Sequence, residues 1–118
     1  MKSYFYTLLK TASILFFIDL AWIATGGIFA RHITEKIQGK PLSIRYVSAI
    51  IVYAFLAVML LETASYKQAF LYGMCIYAVY DFTSLAIYED YDWKFAIADA
   101  LWGGILFTFA RYLLKNVV

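Results

Sequence analysis

Three aspartates lie inside strongly apolar stretches of the sequence, and they are the first candidates for chemistry. Asp19, Asp81 and Asp99 each belong to a segment apolar enough to cross a bilayer. An acid at the middle of a membrane helix costs roughly 2.5–3.5 kcal/mol on insertion scales, so it normally faces a protein interior or a watery cavity. Lys10 and Arg111 lie nearer the opposite end of the bundle and can reach the headgroups. We therefore expect the three carboxyls to meet, with their charge balanced by protons, a bound cation or hydrogen-bond donors.

Hydrogen-bond donors recur at helical spacing near these aspartates. The first and last aspartates are each followed three residues later by a tryptophan, so an indole N–H lies on nearly the same helix face as each carboxylate. The aspartate between them belongs to a polar stripe with a repeat of three or four residues. The side chains that we expect to support the acids are Trp22, Tyr77, Tyr80, Thr83, Ser84 and Trp102. Such donors either only hold the bundle together or form a site that handles protons, ions or a substrate.

Four apolar segments must position these side chains. They cover about residues 4–30, 46–61, 68–87 and 95–114. Each is near the ~20 residues that cross a hydrocarbon core of ~30 Å, and the second is the shortest. Helices satisfy their own backbone groups in lipid, and four segments are too few to close a barrel. The sequence therefore predicts an all-α, multi-pass integral membrane protein, a single four-helix transmembrane domain over residues 1–118.

Short charged connections join the segments. The first, residues 31–45, has a pattern that lets the first helix continue into the headgroup layer until Gly39 stops it. Pro41 is predicted at the start of the second helix, where its missing N–H costs nothing. Lys and Arg are divided five to five between the end of the bundle that holds both termini and the end that holds the first and third connections. The positive-inside rule therefore predicts no orientation.

The fourth segment also carries a ridge of small residues. Ala96, Ala100 and Gly104 recur at four-residue spacing, with Gly103 beside the last of them. Small residues let two membrane helices approach closely. We expect the approaching helix to belong to the same chain, because four helices must first pack on each other. A helix from a second copy of the chain is the alternative.

The composition excludes several functional classes. Hydrophobic residues make up 64% and charged residues 15% of the chain, against roughly 45–50% and about 25% in soluble domains. The net charge of +2 is small and not concentrated, so no nucleic-acid partner is expected, and the lipid bilayer is the expected environment. Cys75 is the single cysteine and His32 the single histidine, so neither a disulfide nor a Cys/His metal site is expected. No nucleophile elbow, zinc His pair or phosphate loop occurs, so we expect no cofactor and assign no catalytic residue.

Three motifs occur together, each centred on one of the aspartates. They are Asp19-Leu20-x-Trp22, Tyr80-Asp81-x-Thr83-x-Leu85-Ala86 and Asp99-x-x-Trp102-Gly103. With this set, from Asp19 to about Leu106, the chain resembles the small four-span membrane proteins grouped as domain of unknown function family 2177. Ser84 and Ala24 stand where the family pattern usually has Asn and Gly. The resemblance implies the topology and the choice of residues, and it carries no established activity.

Three hypotheses follow for the function. In the leading one, the aspartate cluster binds a proton or small cation, and the protein acts as a channel for it or couples it to transport. Carboxylates clustered in a low dielectric resist joint ionisation. We therefore also expect a homo-oligomer, because a bundle of four helices is too thin to enclose a wide pore. The alternatives are a membrane-embedded enzyme that acts on a lipid or isoprenoid by carboxylate acid/base catalysis, or a scaffold subunit without chemistry.

Overall fold

The computed structural model of the protein describes residues 2–117, and all regular secondary structure in that range is helical. The helices are α1 (Lys2–Gln38), α2 (Tyr46–Leu61), α3 (Tyr66–Ile87) and α4 (Trp93–Asn116). Helices α1, α3 and α4 are long and apolar enough to cross a membrane. Helix α2 is apolar but has 16 residues, or about 24 Å at 1.5 Å per residue. The predicted all-α class and its four segments are confirmed.

Helix α1 extends well beyond the predicted span. It runs for 37 residues and ends before Gly39, whose φ of 71° lies in the left-handed region that glycine adopts without strain. The Gly39 N–H donates to the Glu35 carbonyl at 2.9 Å, which closes the last turn. The predicted continuation of the first helix up to Gly39 therefore forms, and its inner side is buried at Ile33.

Pro41 does not begin the second helix, so that prediction is wrong. Residues 41–45 have no regular secondary structure, and α2 begins at Tyr46. The connection is held to the end of α1 instead. The Leu42 N–H donates to Glu35 Oε2 at 2.8 Å, and the Gln38 side-chain amide donates to the Pro41 carbonyl at 3.0 Å. These bonds tie the first residues of the connection to the last turns of α1.

The two shorter connections end in side-chain caps. Ser65 precedes α3 and accepts a hydrogen bond from the Gln68 N–H at 3.1 Å. Asp92 precedes α4 and accepts one from the Lys94 N–H at 2.7 Å. Such caps satisfy the backbone N–H groups that a helix start leaves free, so these turns start α3 and α4 at defined residues.

Helices α3 and α4 form the closest pair in the bundle, while α1 packs on α2 and on α4. At their closest approach, a Cβ atom added to Gly73 would collide with the Gly103 carbonyl, and one added to Gly103 would collide with the Gly73 carbonyl. Ala96, Ala100 and Gly104 are buried along the same helix. The neighbour of the small-residue ridge at this point is thus α3 of the same chain.

The core and the outer surface differ little in polarity. Leu15, Leu56, Leu60, Leu106 and Phe107 are the large side chains of a buried cluster to which all four helices contribute, α3 through Ala69. Large apolar side chains also cover the outside, with Phe17, Val47 and Phe55 among the exposed ones. An outer surface this apolar suits a lipid environment.

Candidate functional site

The three aspartates are buried, although they come from three different helices. Asp19 of α1 is 7% exposed, Asp81 of α3 is 0% exposed and Asp99 of α4 is 8% exposed. Asp81 and Asp99 lie towards the third connection, whereas Asp19 is near the middle of α1. Because buried charges require partners, the groups that contact each carboxyl determine what the cluster can do.

Two of the aspartates exchange tryptophan donors between α1 and α4. Trp102 Nε1 donates to Asp19 Oδ1 at 2.8 Å, and Trp22 Nε1 donates to Asp99 Oδ1 at 2.8 Å. The second residue of the α4 motif, Trp102, bonds to the first residue of the α1 motif, Asp19. The second residue of the α1 motif bonds to the first of the α4 motif in the same way, so the two helices are antiparallel. The two indoles stack with ring centroids 5.5 Å apart and planes 13° apart. Each Asp-x-x-Trp motif therefore bonds across the helix pair and not within its own helix.

Asp19 has a donor on each carboxyl oxygen. In addition to Trp102, the Tyr53 hydroxyl of α2 donates to Asp19 Oδ2 at 2.5 Å. The Tyr53 ring is positioned by an edge-on contact with Phe16, at 5.4 Å between centroids. Tyr53 was not among the predicted site residues. The available signal was a phenol inside the otherwise apolar α2.

Asp81 has a donor on only one oxygen. The Tyr91 hydroxyl, from the third connection, donates to Asp81 Oδ1 at 2.6 Å. Burial, together with this hydrogen bond, raises the pKa of the Tyr91 phenol above its usual value, so the phenol stays protonated and acts as a donor. Asp81 Oδ2 is buried, and within residues 2–117 no N–H or O–H group donates to it. Tyr91 was not among the predicted site residues.

The carboxyls of Asp81 and Asp99 are neighbours. They lie close enough to interact electrostatically. Both groups are acceptors when ionised, so a hydrogen bond between them forms only when one carries a proton. This pair is the least satisfied polar contact of the cluster.

The other predicted supporting residues of α3 are distributed unevenly around the cluster. Tyr77 packs against Gly103 and reaches the interior. Tyr80 is 64% exposed but contributes to the wall of the cavity described below. Ser84 is buried one turn beyond Asp81, whereas Thr83 is exposed on the outside of α3 and does not line the cavity.

A cavity of about 200 Å³ opens beside the carboxyls, between α1, α3 and α4. Asp19 and Asp99 lie in its wall, and the Ile33–Thr34 part of the α1 extension covers one end. Its aromatic wall residues are Trp22, Tyr77, Tyr80, Tyr91 and Phe95. Throughout the described part of the chain, no group of three or more His, Cys, Asp or Glu is arranged to hold a metal ion.

Comparison with known proteins identifies the family. A family model described as predicted membrane protein (DUF2177) matches residues 4–113. The chain belongs to the DUF2177 family. No curated protein and no solved structure matches it.

Membership of DUF2177 confirms the resemblance carried by the three aspartate motifs and extends it to both ends of the bundle. The match includes Tyr53 and Tyr91, the two phenols that complete the cluster. Together with three helices long and apolar enough to span a bilayer, it establishes that this DUF2177 chain is an integral membrane protein.

Proposed function

We propose that this DUF2177 protein binds a proton or small cation at its intramembrane aspartates, and that it conducts this ion or couples it to transport. One observation carries the proposal. Asp81 is fully buried, has one carboxyl oxygen without a donor, and lies beside the carboxyl of Asp99. Neither described ion pair of the chain, Arg31–Glu35 or Lys36–Asp90, involves the cluster.

Electrostatics explains why such a pair exchanges a proton. Two full charges about 4 Å apart repel by about 4 kcal/mol at an effective dielectric constant near 20. Adjacent carboxyls avoid this cost by sharing a proton, as paired aspartates do in other proteins. A bound cation would satisfy the same requirement. Asp81 and Asp99 are therefore the exchanging pair in this proposal.

Asp19 has a different role in the proposal. Tyr53 and Trp102 donate to both of its oxygens, so its ionised form needs no further donor. When Asp19 is ionised, it attracts a cation towards the neighbouring pair. The scaffold alternative accounts for Asp19 equally well, but it leaves Asp81 Oδ2 without a partner.

The enzyme alternative uses the same carboxyls. Acid/base catalysis requires two groups whose environments differ, and Asp19 and Asp81 do differ in their hydrogen-bond donors. The chain would then act on a lipid or isoprenoid that reaches the cavity from the side. The homo-oligomer stays a prediction. Further copies of the chain would supply the helices that a thin four-helix bundle needs to enclose an ion path.

Proton flux into liposomes tests the leading proposal. Purified protein is reconstituted with a trapped pH-sensitive dye, and a potassium diffusion potential drives protons inward. We expect Asp81→Asn to reduce the protein-dependent flux at least tenfold. Asp90→Asn, in the exposed third connection, is the matched control and should keep the flux. Circular dichroism and gel filtration check that both variants fold.

The proposal fails if Asp81→Asn carries wild-type flux. It also fails if liposomes with the wild-type protein conduct protons, Na⁺ and K⁺ no faster than empty liposomes do. Loss of flux in both variants would likewise contradict it, because the effect would then not depend on the buried pair.

A further inference from the structure

The cavity beside the aspartates has a negative wall without a fixed counter-charge. Asp19 and Asp99 line it, and none of the described lining residues is Lys, Arg or His. The donors that reach these carboxylates, Trp22, Trp102 and Tyr53, are all neutral. Hydrogen bonds from neutral donors stabilise a carboxylate but do not cancel its charge. The space is therefore electrostatically suited to a cation.

The aromatic wall indicates what kind of cation fits. Trp22 is stacked between Trp102 and Phe95, at 5.5 and 6.3 Å between centroids, so its faces are already covered. Within the described residues, Tyr77 and Tyr80 have no such ring partner, and both line the cavity. An uncovered aromatic face attracts an ammonium group within ~6 Å, most strongly where water is excluded.

The size of the cavity limits the ligand. A protein cavity of ~150 Å³ is large enough to bind benzene, so about 200 Å³ accepts a somewhat larger molecule. The aliphatic part of the wall comes from α1, at Ile23 and Ile33. Aliphatic side chains offer no ligands to a bare inorganic ion, whereas they pack well against methyl or ethyl groups.

We propose that this cavity binds a small organic cation, an alkylammonium or quaternary ammonium group about the size of choline. Its charge lies against Asp99 and Asp19, and its alkyl groups pack on Tyr77, Tyr80 and the α1 wall. The inference rests on the proposed function and names its substrate class: the organic cation occupies the cavity, while the Asp81–Asp99 pair exchanges the proton.

Tryptophan fluorescence in detergent tests this binding directly. The Trp93→Phe background removes the exposed indole outside the cavity and leaves Trp22 and Trp102 as reporters. The probes are choline and 3,3-dimethyl-1-butanol, in which a neutral carbon replaces the ammonium nitrogen. We expect choline to change the fluorescence saturably, and the neutral analogue to need at least tenfold higher concentration.

Variants of an exposed tyrosine on α3, Tyr80, and of one just after its end, Tyr88, separate ring contacts from folding. Tyr80→Leu removes an aromatic face, so it should weaken choline binding about threefold to tenfold. Tyr80→Phe keeps the face and should bind as the background does. Tyr88→Leu changes a tyrosine that is exposed and does not line the cavity, and it should leave binding unchanged. Asp99→Asn should weaken binding at least tenfold.

The outcomes distinguish the two proposals. Equal binding of choline and its neutral analogue, or no binding of choline, overturns the organic-cation site even if the proton flux depends on Asp81. An equal effect of Tyr80→Leu and Tyr88→Leu also overturns it. Saturable, charge-dependent choline binding supports the site, and it does so even if the liposomes show no proton flux, in which case only the proposed function fails.

Discussion

The crossed tryptophan–aspartate bonds give the sharpest prediction for this bundle. Trp22 donates to Asp99, and Trp102 donates to Asp19, each at 2.8 Å. If these bonds stabilise the fold, then mutations of Trp22 and Asp99 should be energetically coupled. Mutations of Trp22 and Asp19, which share no hydrogen bond although both contact Trp102, should be coupled much more weakly.

The expected coupling follows from the type of bond. Hydrogen bonds to charged groups contribute about 1.5–3 kcal/mol in proteins, whereas double-mutant cycles in membrane proteins average about 0.6 and reach about 1.7 kcal/mol. A short indole–carboxylate bond that is partly buried belongs near the upper end of the membrane range. We expect a coupling of about 1–1.5 kcal/mol for each crossed pair.

Double-mutant cycles in mixed micelles measure these values. Trp22→Phe keeps a ring against Trp102 but removes the donor, and Asp99→Leu removes the acceptor without leaving a buried polar group. Unfolding by SDS is followed by the helical circular dichroism signal of each single and double variant. The same cycle for Trp22 with Asp19 is the control.

Independent sites are additive within about 0.3–0.5 kcal/mol. Coupling of Trp22 with Asp99 that stays within this range would contradict the crossed arrangement. Stronger coupling of Trp22 with Asp19 than with Asp99 would contradict it as well, because the donors would then act within their own helices.

Three further changes test the packing, a cap and the extension of α1. Gly103→Ala should lower the free energy of unfolding by about 1–3 kcal/mol, because the new Cβ overpacks the α3–α4 contact. The same SDS titration should show no such loss for Gly27→Ala, whose Cβ would meet its nearest neighbour at 3.5 Å. Ser65→Ala should cost about 1 kcal/mol, measured in the same way, because α3 loses its side-chain cap. Lys36→Ala should cost at most about 1 kcal/mol, with a smaller effect at high salt, because its ion pair with Asp90 is largely exposed.

Much of the fold could be predicted from the order of apolar and charged residues. A bilayer requires about 20 apolar residues per span and leaves few alternatives to helices. Gly39 marked the end of α1 for a local reason, its left-handed backbone. Pro41 misled because α2 begins only at Tyr46, while Leu42 is hydrogen-bonded back to Glu35 of α1.

For the candidate site, too, one part could be predicted from the sequence and another could not. The cost of an acid in lipid directs Asp19, Asp81 and Asp99 inward, so their burial follows from residue type and depth alone. Tyr53 and Tyr91 have no spacing relation to the acids they contact, because they lie on other elements and reach the acids only after the chain folds.

Residue types and their order therefore suffice to predict a membrane-embedded helical bundle with acids turned away from lipid, since both features follow from the free energy of transfer of individual residues. The folded arrangement of the helices sets which donor contacts which acid, which carboxyl oxygen is left without a donor, and where a cavity remains. Those properties depend on which helices are neighbours and on their antiparallel direction, and residue spacing within a single helix does not specify either.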